Sequence, residues 1–309
     1  MAAEDTIPNH YVQGFRANLN LLPQQMENRL LGAVDTDLAY SEPGTSFNCD
    51  DIGASTPAPV TTRVPDSPGG FLEQIRRGGH FEAFSDGKFI DNRDKARELA
   101  DPSNPTMRSM MAGKARYMED KIIDTIFGTT FSGQNLTTPN TFPAAQVIAV
   151  NDRQNLHDAE NVPASGNLGL TIGKIITASA MLDRSELDGE RYFSWTSYEK
   201  AQLLASTPAT SGDYNTIKAL VNGQIDSFYG FKFIRTERMP VSSSITDCAA
   251  WVKPAIQYRA REIITAKITQ REDKSFRWYA YYETEHAGAR RYDNAVVKVR
   301  CDRTAQANA

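Results

Sequence analysis

The sequence predicts an α+β chain hung on one long helix, and three observations carry that prediction. A single amphipathic helix spans Pro105 to Gly128, residues 170–260 alternate helices with strands, and the last sixty residues run in period-2 strands. Ahead of these, Met1 to Pro102 holds no segment that would bury a core of its own. The first third of the chain therefore reads as arms and loops whose packing partners lie elsewhere.

Residues 8–35 place Phe15, Leu19, Leu22, Met26 and Leu30 loosely at helical spacing, and Pro23 interrupts them. This predicts an arm with a short helical piece. Residues 41–70 are dense in Ser, Thr, Pro and Gly and end in Pro65-Asp66-Ser67-Pro68-Gly69-Gly70. Such composition resists compact packing and predicts an exposed loop or hairpin. Strand candidates flank it at Phe47–Ile52 and Phe81–Ile90, and a hairpin reaching away from its core commonly completes another sheet edge.

In the long helix Asn104 suits the N-cap, Pro105 the first turn and Gly128 the stop. Met107, Met111, Ala115, Met118, Ile122 and Ile126 recur every three or four residues and make a core-facing stripe, with Arg116, Asp120 and Asp124 on the far side. Twenty-four residues give about 36 Å of rod. A strand follows at Ala144–Val150. Thr171 opens a second helix carrying Ile172, Ile175, Ile176, Ser179 and Leu182 on one face and stopping near Gly189. Arg191–Thr196 alternates as a strand, Tyr198–Ala205 is a short helix, and Asp213 caps another through Ile217, Leu220 and Val221 to Gly223. Ile225–Ile234 is strand with a kink or tight turn at Gly230. In the tail, Ile264, Ala266 and Ile268 alternate with polar residues, Asp273-Lys274 turns into Phe276–Glu283, and Ala287-Gly288-Ala289 turns again before Ala295, Val297, Val299 and Cys301. These runs predict a meander.

Bulk properties exclude several classes. Hydrophobic residues at 40% and charged ones at 23% are those of a globular chain. A net charge of −4 and a pI near 5.7 argue against a dedicated nucleic-acid reader, while leaving room for non-specific proximity to nucleic acid. No apolar run is long enough to span a membrane, and the first residues lack a signal-peptide pattern. Cys49, Cys248 and Cys301 are odd in number and widely spaced, which predicts buried or idle thiols in a reducing compartment.

Catalytic templates fail on spacing. Gly166, Gly169 and Gly173-Lys174 approach a phosphate loop, but Leu168 and Ile175 stand where Gly and Ser or Thr are required. His10, His80, His157 and His286 are too dispersed for a helical metal pair, and Asp35 and Asp37 begin a calcium-like loop that lapses at Leu38-Ala39. Asp50 and Asp51 beside Cys49 would raise its pKa rather than activate it. Glu283 and Glu285 share a strand face as solvated charge. Arg76-Arg77 and Arg290-Arg291 are suited to phosphate or to neighbouring carboxylates. The expectation is no catalytic, cofactor or metal residue, and a chain that is not an enzyme.

Short runs stand in an informative order: Ile7-Pro8-Asn9-His10-Tyr11-Val12; Asp101-Pro102-Ser103-Asn104-Pro105 with Met118-Glu119-Asp120 and Phe127-Gly128-Thr129; Ser211-Gly212-Asp213-Tyr214, Gly223-Gln224-Ile225 and Gly230-Phe231 before Met239-Pro240; Asp273-Lys274-Ser275 and Gly288-Ala289-Arg290-Arg291. From Ile7 to Cys301 the chain resembles the major capsid (coat) proteins of tailed double-stranded DNA bacteriophages, with the Hong Kong 97-type fold. The resemblance implies an N-terminal arm (1–45), an extended β-hairpin loop (46–95), a peripheral domain (96–165, with spine helix 105–128), an α/β axial domain (166–261) and C-terminal strands returning to the peripheral domain (262–309). It also implies hexamers and pentamers tiling an icosahedral shell around packaged double-stranded DNA. The expected partners are other copies, a separate scaffolding protein, a portal and a decoration protein. The expected location is the virion, after synthesis in the bacterial host cytoplasm, with no membrane partner. Because the chain opens on the arm, no in-chain prodomain is expected. Relatives that cross-link covalently join Lys to Asn; Lys88 is the conceivable participant here, with no motif establishing it. An encapsulin-like nanocompartment shell is the alternative, and an enzyme whose site assembles only on folding is a second.

Overall fold

The computed structural model describes residues 24–57, 59–63, 69–90, 103–156, 165–206, 214–222 and 227–305. The arm motif, the helical spacing through Leu22, the run Pro65–Pro68, the Asp101-Pro102 approach to the long helix, the Ser211–Asp213 cap and Gly223–Ile225 lie outside these residues, as do His10 and His157.

In chain order the elements begin with β1 (Asp35–Asp37), β2 (Ser46–Ile52), β3 (Gln74–His80), β4 (Glu82–Ile90) and α1 (Ser103–Phe127). Next come β5 (Thr130–Ser132), β6 (Thr138–Asn140), β7 (Val147–Ile148), α2 (Ile172–Asp183), β8 (Arg191–Trp195), α3 (Ser197–Ser206) and α4 (Tyr214–Val221). The chain ends with β9 (Ser227–Phe228), β10 (Phe231–Arg235), β11 (Val241–Ser242), β12 (Ile245–Val252), β13 (Ile256–Arg271), β14 (Arg277–Arg290) and β15 (Val296–Asp302). Two compact units divide it. One gathers Met1–Glu27, Phe84–Arg116 and Ile263–Thr284; the other holds Asn28–Ala83, Tyr117–Glu262 and Glu285–Ala309.

The first unit has a small core. Met110 of α1 is buried with Ala280 and Tyr282 of β14, and Phe84, Met107, Met111, Ala266 and Ile268 pack around them. The expected stripe is therefore turned here: Met110 faces the core squarely, and Met107 and Met111 flank it, half-buried. Along β14 the buried residues Ala280, Tyr282 and Thr284 alternate with half-buried ones, the period of a strand with one covered face.

The second unit carries a seven-stranded mixed sheet, β7-β15-β12-β8-β10-β9, with β11 pairing β12. Its core takes Met118, Ile122, Ile123 and Ile126 from α1, Ile172, Ile175, Ala178 and Leu182 from α2, and most of β12 and β15. β8 does not alternate as predicted. It lies between β12 and β10, and Tyr192, Phe193, Ser194 and Trp195 are all buried, the pattern of a strand covered on both faces. Thr171 caps α2 by accepting the Lys174 N–H at 3.3 Å, and this helix ends at Asp183, short of Gly189. At the start of α3 the Glu199 carboxylate accepts the Thr196 N–H at 3.0 Å while Thr196 Oγ1 accepts the Tyr198 N–H at 3.3 Å, a capping box. β9 and β10 form a hairpin across Tyr229-Gly230, both with positive φ (48° and 77°), as a two-residue type I′ turn requires.

Several expectations are corrected. Ala144–Gln146 is a 3-10 turn, leaving only Val147–Ile148 as strand. Asn104 lies inside α1 rather than capping it. Phe81–Ile90 was predicted to be one flank of the loop; β4 is that strand, but the partner of β2 is β3, in register from Ser46↔His80 to Ile52↔Gln74. β3 continues through β5 to β6 in a four-stranded sheet. The first hundred residues also contribute to cores: Leu30, Ala33 and Val34 enter the main one, and Phe47 and Cys49 enter a second with Ala287 and Ala289. The tail is not a meander, because β15 pairs with β12 and β7, whereas the sheet containing β14 has the order β1-β13-β14-β4.

Ala287-Gly288-Ala289 is strand rather than turn. A Cβ on Gly288 would sit 1.8 Å from Thr125 Oγ1, so glycine is required by the approach of α1 and not by a turn. Gly288→Ala should destabilise the protein by about 1–3 kcal/mol in urea melts, and Thr125→Ala in the same chain should recover part of the loss.

Candidate functional site: an arginine–aspartate network at the root of the hairpin

The two basic dipeptides converge on carboxylates within the second unit. Consecutive strand residues point to opposite faces, so Arg76 and Arg77 on β3 go separate ways. Arg76 pairs across the ladder with Asp50, Nε to Oδ1 at 2.6 Å and Nη2 to Oδ2 at 2.9 Å. Both side chains are largely in water, and such a pair contributes little stability. Arg77 reaches Asp293 at 2.7 Å. Asp293 also accepts from Arg290 Nε at 2.5 Å.

Arg290 is fully buried. Its Nη1 donates to the carbonyls of Ile126 (3.1 Å) and Gly128 (2.8 Å), and its guanidinium lies 5.1 Å from the Phe142 ring centroid. Those carbonyls belong to the last turn of α1 and the residue after it, where backbone acceptors lack helical donors and a cation is favoured. Arg291 engages Asp51 through Nε and Nη2, and the Tyr292 hydroxyl donates to the same carboxylate at 3.0 Å. The Arg291 hydrogen bond, opposed by partial burial, holds the Asp51 carboxyl below its ordinary range.

The network ties down the β2–β3 ladder where the excursion leaves it, and the excursion carries apolar side chains in water. Phe71 is fully exposed, Val60 is 75% and Ile52 71% exposed, and Leu72 is exposed as well. Gly53 donates to the Glu73 carbonyl at 2.7 Å, so the excursion between them starts and ends at one point.

Elsewhere the sequence candidates separate. The three hydrogens of the Lys174 ammonium meet the carbonyls of Val150 (3.0 Å), Leu168 (3.1 Å) and Arg300 (2.7 Å), an arrangement that holds chain segments and not a phosphate. Cys49 is buried against Gln257; burial, more than its acidic neighbours, lifts its pKa to about 11. Glu285 pairs with Arg261, and Glu283 accepts from Tyr281. Asp35 pairs with Arg259. Lys88 lies 3.4 Å from Asp86. His80 meets the Leu136 carbonyl and His286 the Tyr258 hydroxyl. Among the described residues no cluster suits a metal and no helix is long and apolar enough to cross a membrane. Glu119, which the sequence marks only within a short run of the long helix, is buried, accepting the Arg29 N–H at 3.1 Å and the Thr236 hydroxyl. Its position four residues after Ala115 and three before Ile122 was the available signal.

The sequence matches the phage capsid protein family over residues 7–303. The chain belongs to that family. Solved capsids share the fold. The capsid protein aligns with that of cyanophage Pam1 at 12% identity over 100% of both chains (TM-score 0.71). It aligns with that of Ralstonia phage GP4 at 9% identity over 98% of both (TM-score 0.71). With cyanophage P-SCSP1u it shares 11% identity over 94% of this chain and 92% of that one (TM-score 0.71). No curated protein matches the sequence.

Two outcomes follow for the capsid protein. Arg290→Met leaves two helix-end carbonyls and part of Asp293 unpaired and should cost about 3–5 kcal/mol in denaturant unfolding; Arg290→Lys should recover only part, lacking the fork. The Asp51 carboxyl is depressed in the folded state, so its contribution is present at neutral pH and lost as pH falls through its folded value. Asp51→Asn should therefore be less stable than the parent at pH 7, with the gap in melting temperature closing below about pH 4.

Proposed function

We propose that the chain is the major shell subunit of a tailed phage, assembling as hexamers and pentamers into an icosahedral capsid around packaged double-stranded DNA. Membership of the phage capsid family across nearly the whole chain carries this reading. The same membership disfavours the encapsulin-like alternative. The subunit works by shape and adhesion and performs no catalysis.

In this reading residues 1–45 are the N-arm, 46–95 the extended loop, 96–165 and 262–309 the peripheral domain around the spine helix, and 166–261 the axial domain. A long helix, a hairpin with an anchored root and an apolar excursion, and a mixed sheet flanked by helices support it. Ordering an unpartnered loop costs about 1–2 kcal/mol per residue; laid on a neighbour, its exposed Phe71, Val60 and Ile52 leave water and offset that cost. A scaffolding protein, the portal and a decoration protein are the expected further partners, after synthesis in the bacterial host cytoplasm. DNA is met without sequence preference, consistent with a net charge of −4.

A deletion of residues 55–80 would test the loop from sequence alone, but it removes β3 and two arginines of the network. The structure directs a smaller change: replacing residues 54–72 by Asn-Gly across the Gly53–Glu73 hydrogen bond. That variant should fold with unchanged circular dichroism and give no shells in negative-stain microscopy, where the parent gives particles of tens of nanometres. Normal shells from the variant would overturn the loop assignment; a parent that forms neither particles nor free capsomers would overturn the capsid reading.

A further inference from the structure

The loop from α2 to β8 carries an Asp-Gly pair, Asp188-Gly189, and the chain has one other, Asp86-Gly87 on β4. An aspartate before glycine is open to attack by its own backbone, because glycine sets no side chain beside its amide nitrogen. Whether the attack proceeds depends on the fold, and the fold treats the two pairs oppositely.

Around Asp188 the loop is pinned on both sides and unbonded between. Ser185 donates to the Leu182 carbonyl at 3.0 Å and Glu186 to that of Asp183 at 3.1 Å, while the Glu190 carbonyl accepts from Lys253 at 2.9 Å. Among the described residues, no backbone hydrogen bond holds Leu187, Asp188 or Gly189, and the exposed Asp188 carboxylate has neither a hydrogen bond nor an ion pair. Glycine is nevertheless required at 189. It takes a φ of +155°, and a Cβ there would stand 3.0 Å from Val252 Cγ1 and 3.1 Å from Pro254 Cδ. The packing that calls for glycine thereby installs the vulnerable dipeptide. Asp86-Gly87 is the opposite case. Both residues are half-buried within β4, which is laddered to β14. Asp86 lies 3.4 Å from Lys88, and a Cβ on Gly87 would collide with the Tyr279 hydroxyl.

We propose that Asp188 is a site of spontaneous backbone modification, converting to a β-linked isoaspartate in the folded protein. The Gly189 nitrogen attacks Asp188 Cγ and forms an N–Cγ bond. Its proton and a carboxyl oxygen leave in a water molecule, and the product is a five-membered succinimide. Water then adds to one ring carbonyl and breaks that carbon's bond to the nitrogen. Opening at the α-carbonyl leaves the chain running through Cβ and Cγ, with a free α-carboxylate. The water lost in closing is regained in opening, so mass is unchanged and no oxidant or cofactor is needed. The conversion inserts one methylene into the link between α2 and β8. Glu190, two residues on, holds Lys232 and the Tyr192 hydroxyl at the entry to that buried strand. Such changes accumulate in a particle whose subunits are not replaced; that consequence rests on the capsid reading, whereas the chemistry does not.

The test compares the two Asp-Gly pairs in one sample. Purified protein is kept warm for several weeks at neutral pH, digested, and mapped by mass spectrometry with isoaspartyl methyltransferase labelling. The expected result is an Asp188 peptide of unchanged mass, shifted retention and resistance to cleavage before residue 188. Its conversion should exceed that of the Asp86 peptide by about tenfold or more, because a strand must open before its backbone can fold back on itself. In urea the two rates should converge. Asp188→Glu, whose ring would need six members, should lose the labelling and keep its circular dichroism. Mapping separates the signal from Asn222-Gly223, where deamidation would raise the mass. Unconverted Asp188, equal conversion of Asp86 in the folded chain, or an unfolded chain that keeps the preference would each overturn the proposal. Failure to form shells would bear on the capsid reading alone, because the free chain reports the modification equally well.

Discussion

The second unit depends on a charge that has no access to water. Burying a guanidinium is tolerable only when its hydrogens find partners. Arg290 meets that demand with Asp293 and two carbonyls at the end of α1. The demand orders everything nearby. The last turn of α1 gains acceptors for its cation, Asp293 is held where Arg77 of β3 also reaches it, and the hairpin root is fixed to the segment after β14. An apolar residue of similar size could fill the space, but it would leave the helix end uncapped and β3 without its tie. The neighbouring glycines fit the same constraint: Gly79 and Gly288 lie so close that a Cβ on Gly79 would stand 2.3 Å from the Gly288 carbonyl oxygen.

The parts legible in the sequence were those set by local chemistry. α1 announced itself through its spacing and its Gly128 stop, α2 through Thr171, and the Tyr229-Gly230 turn through glycine. The parts that were illegible are set by distant residues. β3 reads Gln-Ile-Arg-Arg-Gly-Gly-His, with no alternation of apolar side chains, because its register is held by the β2 ladder and by the Arg77–Asp293 pair rather than by a buried apolar face. Ala287-Gly288-Ala289 imitates a turn because close approach and tight turning call for the same residue. The partnership of β15 with β12 joins segments some fifty positions apart, and nothing in either strand names the other. Of the candidate site, the arginine pairs and their taste for carboxylates were visible; that Arg290 alone would be buried was not.

Identity of 9–12% with capsids of the same architecture indicates what the fold requires. A central strand such as β8 needs residues that pack on both faces, and a helix such as α1 needs a stripe that follows its cores; many residue choices satisfy either. The order of elements and the points of close approach are harder to exchange. The short runs from Ile7 to Arg291 accordingly carried the family resemblance through their sequence order, although each is individually unremarkable.

Phe71 has a consequence for the cell that makes this chain. A finished subunit is a folded molecule with an oily tip in water. While copies accumulate, every pair of tips is a chance encounter with no productive geometry, and its frequency grows with the square of concentration. The pool of waiting subunits is therefore self-limiting: it must be drawn into ordered contacts as fast as it is made, or it will clump. The rate of translation thus becomes as much a part of building the particle as any residue in the chain.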